Sequence, residues 1–247
     1  MTSTTANPAV EAIPAKGLLA RALGVIFSPR ATYADVAARP RVLGALLLVI
    51  AISVAASAGF FSTQVGKDAM LEQADRSMQS FGVRLNDAQY AQMQARMTGP
   101  MAIYSSAASQ VVILPLFAAI AAGLLIAVFN AVMGGDASFK QVYAIVVYSG
   151  FLSALQQLFI FPLDYAKQSM SSPTNLAVFL PFLDEGTFAA RFLGFLDLFR
   201  IWWLVNLAIG IAVLYKKRTT PIATTMLVIY GVIALVVAAV GVALSGA

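Results

Sequence analysis

Few residues in this 247-residue chain have side chains that could do chemistry, and those few lie in apolar surroundings. The sequence has no cysteine and no histidine, which excludes disulfides, thiol nucleophiles, imidazole bases and the usual ligands of zinc and haem. Six polar residues interrupt long apolar stretches: Asn130, Gln156, Gln157, Asp197, Arg200 and Asn206. We therefore predict no catalytic residue, no metal site and no cofactor, and take these six residues as the candidates for function.

Polar side chains inside apolar stretches are costly in a membrane, so they are candidates for function. Asp197 and Arg200 are three residues apart, and on one helix their side chains could pair. One interpretation is structural, with a local Asp197–Arg200 pair and amide hydrogen bonds between helices. The other is a polar cavity for a solute or a lipid headgroup. An intramembrane aspartyl protease is disfavoured, because it needs two neighbouring carboxylates and Asp164 lies at the end of its apolar stretch.

Five apolar stretches are each close to the ~20 residues that an α-helix needs to cross the hydrocarbon core of a bilayer. They cover residues 42–61, 107–133, 142–163, 192–215 and 222–244. The composition agrees, since 60% of the residues are hydrophobic and 11% are charged, against about 25% charged in an average soluble domain. The sequence thus predicts an all-α, multi-pass membrane protein in which residues 42–244 form a bundle of five transmembrane helices.

The remaining segments predict shorter elements around this bundle. Residues 1–15 are rich in Thr, Ala and Pro, which predicts a disordered tail. Residues 16–41 predict two short helices at the membrane interface, the first amphipathic and the second starting at Ser28-Pro29. Residues 62–106 predict an outer helical loop with Asn86 or Asp87 as a cap. The apolar stripe of this loop consists of Leu71, Ala74, Met78, Phe81 and Leu85.

Lys and Arg are distributed unevenly between the two sides that the five spans define. Nine basic and three acidic residues lie on the side of the N-terminus, whereas the opposite side holds seven basic and eight acidic residues. Because cytoplasmic loops carry an excess of Lys and Arg, we expect a cytoplasmic N-terminus and a C-terminus on the opposite side. This distribution also explains the net charge of +5 without a nucleic-acid partner.

The second apolar stretch has a small residue at every fourth position. This stripe consists of Ala119, Gly123, Ala127, Ala131 and Gly135. Small residues at this spacing let a neighbouring helix approach closely. We expect the stripe to pack within the molecule, with homodimerisation as the alternative.

Three short segments resemble the Yip1 family of five-span membrane proteins. Residues 27–33 read FSPRATY and are similar to the family's Ser-Pro and aromatic entry before the first span. Residues 134–141 read GGDASFKQ and run into VYS at 147–149, like the family's Gly-rich turn before the third span. Residues 201–205 read IWWLV and lead to Ile209-Gly210 and a basic turn before the final span.

The likeness extends over residues 16–244 and is greater to the bacterial-type members. It implies a helical bundle with a cytosolic N-terminus, which for a bacterial protein means the inner membrane. Eukaryotic relatives act in vesicle traffic and contact Rab-type GTPases, but their acidic N-terminal domain and Asp-Leu-Tyr-Gly-Pro signature have no counterpart here. These departures argue against carrying the GTPase contact over to this chain.

Composition, packing patterns and resemblance together favour a non-enzymatic membrane scaffold or organising protein. Its expected partners are membrane lipids, other membrane proteins or further copies of the chain. The alternative is a lipid-handling protein or a small-solute transporter that uses a polar cavity between the spans. Convergence of the amide side chains on one cleft would favour the alternative, and amide bonds between neighbouring helices would favour the scaffold.

Overall fold

The computed structural model describes residues 16–245 apart from residues 81, 133, 171 and 185, so the predicted tail at 1–15 lies outside the described residues. In the described part of the chain every named element is helical, which confirms the all-α prediction. The α-helices are α1 (Leu18–Phe27), α2 (Pro29–Ala38), α3 (Leu43–Phe61), α4 (Gln64–Ser80), α5 (Asp87–Thr98), α6 (Pro100–Ile126), α7 (Phe139–Lys167), α8 (Phe188–Phe195), α9 (Leu198–Leu214) and α10 (Thr219–Ser245). A π-helical turn (Ala127–Val132) follows α6, and a 3-10 turn (Leu176–Phe179) precedes α8.

Four helices in the described part of the chain are long and apolar enough to cross a membrane. They are α3, α6 with its π-helical end, α7 and α10. α9 is apolar but has 17 residues, a length of about 26 Å. In the most apolar stretch of α7, 56% of the residues are buried, against 11% in α6 and 17% in α10. α7 is therefore the central helix, with α3, α6 and α9 packed on it and α10 packed on α9.

The first two helices form a hairpin against one end of the bundle, called the N-terminal end here. The chain turns at Ser28-Pro29, where the proline takes the first position of α2 because that position needs no N–H donor. Gly24 lets the two helices touch, since a Cβ there would lie 2.2 Å from the hydroxyl oxygen of Thr32. Tyr33 and Val36 of α2 are fully buried, and α2 packs against both α9 and α7.

At the opposite end, called the far end, α4 and α5 form the helical loop predicted at residues 62–106. Asn86 caps α5 as predicted, accepting from the backbone N–H of Gln89 at 2.9 Å, while the Gln89 side chain accepts from Asn86 at 3.0 Å. Leu71 of the predicted stripe is 4% exposed, and α4 packs against α3, α7 and α10. Phe81, the fourth residue of that stripe, lies outside the described residues.

The continuous helix predicted for residues 192–215 is not present. α8 ends at Phe195, and α9 begins at Leu198 with Asp197 as its N-cap. The Asp197 carboxylate accepts from the N–H groups of Phe199 and Arg200, at 2.9 and 3.2 Å. The prediction was wrong because it treated Asp197 as a charge inside a span, although an Asp before an apolar run is also a helix-start signal.

The small-residue stripe of the second apolar stretch does not face the core. Gly123, Ala127 and Ala131 are exposed, and a Cβ on Gly123 would meet no atom within 4 Å. The buried small residues are Ala118 and Ala122, each one position before a residue of the stripe. The packing within the molecule that was predicted through Gly123, Ala127 and Ala131 is therefore not formed, whereas Ala119 is half-buried. Gly135 alone sits tightly, since a Cβ there would lie 2.5 Å from the Tyr215 ring.

Candidate functional site

A buried arginine ties the N-terminal hairpin to the bundle. Arg21 is 1% exposed and forms an ion pair with Asp35 at 2.7 Å. Its guanidinium also donates to the carbonyl of Arg39 at 3.0 Å and to the hydroxyl of Tyr148 on α7 at 3.4 Å. Burial alone would lower the pKa of Arg21, but the interactions with Tyr148 and Asp35 outweigh it and raise that pKa. The guanidinium therefore stays charged, and its donors are used within the protein.

Asn206 is the second buried contact at this end and was predicted as an intramembrane polar residue. Its side-chain oxygen accepts from the hydroxyl of Tyr33 at 2.5 Å, and its amide nitrogen donates to the carbonyl of Val25 at 2.8 Å. The Val25 carbonyl needs this donor, because the residue four positions on is Pro29, which has no N–H. Asn206 thus joins α9 to both helices of the hairpin.

Gly210 allows this contact by leaving space on α9. A Cβ at this position would lie 2.5 Å from Ile145 on α7 and 3.1 Å from the ring of Tyr33. Three helices therefore meet at one glycine. In the sequence analysis, Ile209-Gly210 is only part of the family resemblance. The spacing of residues around Gly210 did not predict this contact.

Two further predicted amides also bond across the molecule. Asn130 donates to the carbonyl of Ala137 at 2.8 Å and accepts from the hydroxyl of Tyr215 at 2.7 Å. Gln157 on α7 donates to the hydroxyl of Ser53 on α3 at 3.1 Å. These contacts close the turn after α6 and join α3 to the central helix.

Gln156 takes part in a larger polar cluster around Asp197, at the start of α9. One carboxylate oxygen of Asp197 accepts from Gln156 at 3.0 Å, in addition to the two N–H groups of α9. The other oxygen accepts from the hydroxyls of Ser172 and Thr174, at 2.8 and 2.6 Å. Asp197 is 5% exposed, so its charge is balanced by five hydrogen-bond donors rather than by solvent.

Tyr230 completes the cluster from α10. Its hydroxyl donates to the carbonyl of Phe195 at 2.5 Å and accepts from the backbone N–H of Asp197 at 3.3 Å. The break between α8 and α9 is therefore held by side chains from α7, from the loop before α8 and from α10. Ser172, Thr174 and Tyr230 were missed by the sequence analysis, which had no signal to join them to Asp197.

The predicted side-chain pair between Asp197 and Arg200 is not formed. Within the described residues, ion pairs join Arg21 to Asp35 and Arg76 to Glu72. Arg200 contacts Asp197 through its backbone N–H, because Asp197 lies before the helix and turns its carboxylate onto the first turn. Arg200 is an exposed residue, and its guanidinium forms no hydrogen bond or ion pair with any described residue.

Arg200 instead lines a cavity of about 440 Å³, which we call the α6–α10 cleft. α7 contributes a polar face, α9 contributes Arg200, Trp203 and Leu204, and α10 and α6 form apolar sides. The polar face of α7 consists of Ser153, Gln156 and Gln157. Two of the four predicted amides therefore border one cleft, while Asn130 and Asn206 bond elsewhere.

A second cavity of about 470 Å³ lies between α3, α4, the end of α5 and the start of α6. Lys67 and Arg96 border it together with Ser57 and three serines of α6. Ser57 accepts from Gln110 at 2.9 Å, which joins α3 to α6 beside this cavity. Among the described residues, no group of three or more Asp, Glu, His or Cys could hold a metal ion.

A family model described as the Yip1 domain matches residues 23–241. Neither the curated proteins nor the solved structures gave a match. The matched range contains the N-terminal hairpin from Leu23 onwards, the bundle and the two cavities.

Proposed function

The chain belongs to the Yip1 domain family and is a multi-pass membrane protein, and from this premise we propose that it is a non-enzymatic scaffold that organises other membrane components. The observation that carries the proposal is that the predicted intramembrane amide side chains form hydrogen bonds within the protein. Asn130, Gln157 and Asn206 each bond a neighbouring element, and Gln156 bonds the cap of α9. Amides that hold helices together give a rigid body, whereas a solute pathway would need them free to face water.

The proposed topology has five spans, with α9 as the fourth in chain order. Its length of about 26 Å is slightly below the ~30 Å of a bilayer core, and α8 extends the same apolar segment at the far end. α9 begins beside the Asp197 cluster and ends at Leu214, and the next residue, Tyr215, bonds Asn130 near the N-terminal end. The excess of Lys and Arg on the side of the N-terminus supports a cytoplasmic N-terminus and a C-terminus on the opposite side.

The N-terminal helix is proposed to lie in the interface of the cytoplasmic leaflet, in a bacterial inner membrane. Leu19, Leu23 and Phe27 are 69%, 59% and 79% exposed and follow one another at spacings of four. They form one apolar stripe on α1, which faces away from the protein. Arg21 lies off this stripe and is buried against the bundle.

A lipid-handling role is the second candidate, and the α6–α10 cleft is the observation that favours it. The cleft brings Gln156, Gln157 and Arg200 together on apolar walls. Its volume of about 440 Å³ is within the usual range of small-ligand sites. The scaffold remains the first proposal, because two of the four amides lie away from this cleft and the two at its border also bond other helices.

Crosslinking in intact membranes at native expression, followed by purification in mild detergent, tests the scaffold proposal. We expect a membrane protein or a second copy of this chain to co-purify in a fixed ratio. A variant with Leu19, Leu23 and Phe27 changed to Ser serves as a control for membrane attachment, since it leaves the buried contacts of the hairpin intact. A lipid or solute recovered in a fixed ratio with no protein partner would contradict the scaffold.

A further inference from the structure

The α6–α10 cleft opens sideways, toward the surroundings of the bundle. α6 packs on α7 and α3, and α10 packs on α9 and α8, but the described residues of α6 and α10 form no packed interface with each other. Phe117 on α6 and Ile229 on α10, one on each side of the opening, are 56% and 55% exposed. In a membrane this opening faces lipid, so a lipid molecule can enter without passing through water.

Each wall of the cleft is one face of a helix. Ser153, Gln156 and Gln157 are at positions i, i+3 and i+4 of α7, and the cleft residues of α9 repeat the same spacing from Arg200. On α10 the face continues for two turns, from Met226 to Ile233. The cleft therefore has a polar floor on α7, apolar side walls on α6 and α10, and a single cationic side chain.

Arg200 has no anionic partner in the described part of the chain. The only acid near it in sequence, Asp197, is buried and already accepts five hydrogen bonds, none of them from the Arg200 side chain. A guanidinium that borders an apolar cleft without a counter-charge is costly in a membrane. A phosphate group would satisfy it, because the planar guanidinium can donate two parallel hydrogen bonds to phosphate oxygens.

We propose that the α6–α10 cleft binds one anionic phospholipid, with its headgroup phosphate on Arg200. Arg200 is the third residue of α9, about 21 Å along this helix from its other end at Leu214, and its long side chain can extend toward the headgroup layer on the far side. The lining face of α10 runs from Ile233, at the middle of that helix, back to Met226, so an acyl chain lies along Ile233, Ile229 and Met226. A cavity of about 440 Å³ holds the headgroup and the start of a chain, and the rest of the lipid stays in the bilayer.

Native mass spectrometry of the purified full-length protein tests this site. The delipidated protein is titrated with phosphatidylglycerol and, separately, with phosphatidylcholine that has the same acyl chains. We expect one saturable phosphatidylglycerol site, with clearly weaker binding of phosphatidylcholine. Arg200→Gln keeps the length and polarity of the side chain and should weaken phosphatidylglycerol binding by about 10-fold, since it removes a charged hydrogen-bond partner. Arg200→Lys keeps the charge and should retain part of the preference.

A matched control variant tests whether the loss of any positive charge weakens lipid binding, and a second variant disturbs the cleft without changing Arg200. Arg84→Gln removes one exposed positive charge from the outer loop, away from the cleft, and should leave lipid binding unchanged. Ile229→Trp narrows the cleft without touching Arg200 and should also weaken lipid binding, so the test does not depend on one variant folding. Soluble glycerol phosphate should not displace the lipid, because the apolar walls hold the acyl chain.

The proposal is overturned by equal binding of phosphatidylglycerol to the native protein and to Arg200→Gln, or by an equal loss in Arg84→Gln. Displacement of the lipid by glycerol phosphate would also overturn it, and would indicate a soluble phosphate compound. Lipid binding at this site and capture of a protein partner are separate measurements. The scaffold can therefore fail while the lipid site holds, and the reverse is equally possible.

Discussion

Tyr33→Phe removes a single hydroxyl from the contact between the N-terminal hairpin and α9. Tyr33 and Asn206 are 0% and 1% exposed, and the bond between them is 2.5 Å long. The substitution leaves the side-chain oxygen of Asn206 without its donor in a buried place, which costs about 1–3 kcal/mol. For a chain of this size the melting temperature should fall by about 2–4 °C for each kcal/mol.

Asn206→Leu should cost about twice as much, because it also leaves the Val25 carbonyl without a donor. In the double variant the Tyr33 hydroxyl is gone, so only the Val25 carbonyl stays unsatisfied. Tyr33→Phe together with Asn206→Leu should therefore be more stable than Asn206→Leu alone, by about 1–3 kcal/mol.

Reversible unfolding of the purified variants in mixed detergent micelles measures these free energies. Tyr90→Phe is the matched control, because Tyr90 is 39% exposed on α5 and its change should stay within about 0.5 kcal/mol. If the costs of Tyr33→Phe and Asn206→Leu simply add in the double variant, the two side chains do not depend on each other and the reasoning is refuted.

Thermal unfolding in detergent tests three further features: the cap of α9, the close contact at Gly210 and the buried ion pair of Arg21. Asp197→Ala should destabilise the protein by about 2 kcal/mol or more, since it removes the cap of α9 and leaves buried hydroxyls unpaired, while Asp197→Asn should cost less; equal losses would argue against the cap. Gly210→Ala should cost about 1–3 kcal/mol through its close contact with α7, whereas Gly123→Ala, in open space, should be neutral or stabilising by up to about 1 kcal/mol; similar effects at both sites would contradict the packing. Arg21→Met should cost about 3–5 kcal/mol, and adding Asp35→Leu should recover part of it; a further loss in the double variant would speak against the buried ion pair.

The long apolar segments were predictable because hydrophobic length is a one-dimensional property of the sequence. The stretches predicted at 42–61, 142–163 and 222–244 lie largely within α3, α7 and α10. The starts of two helices were also predictable, since Ser28-Pro29 marks the start of α2 and Asn86 that of α5. These features depend on neighbouring residues only.

Which face of each helix is buried was not predictable, because it depends on which other helices pack against it. The small-residue stripe through Gly123 looked like a packing face, yet Ala118 and Ala122 make the contact. In an apolar helix rich in alanine, several faces satisfy the same pattern, and the surrounding lipid does not penalise the one left exposed.

The partners of the polar residues were only partly predictable. Their positions inside apolar stretches singled out Asn206 and Asp197, but not Val25 or Thr174, which bond them. These contacts join residues 181 and 23 positions apart, and no local rule links such positions. The prediction of an Asp197–Arg200 side-chain pair was wrong for the same reason. Hydroxyl and amide donors from other segments bond the Asp197 carboxylate instead.

The five-span arrangement depends most directly on α9 crossing the membrane. Because the sequence has no cysteine, single cysteines can be labelled in intact cells with a membrane-impermeant maleimide. We expect Arg84→Cys and Ala247→Cys to react from outside, and Lys217→Cys to react only after the membrane is permeabilised. If Lys217→Cys reacts from outside while Ala247→Cys is protected, α9 does not cross, the chain has four spans, and the proposed arrangement is contradicted.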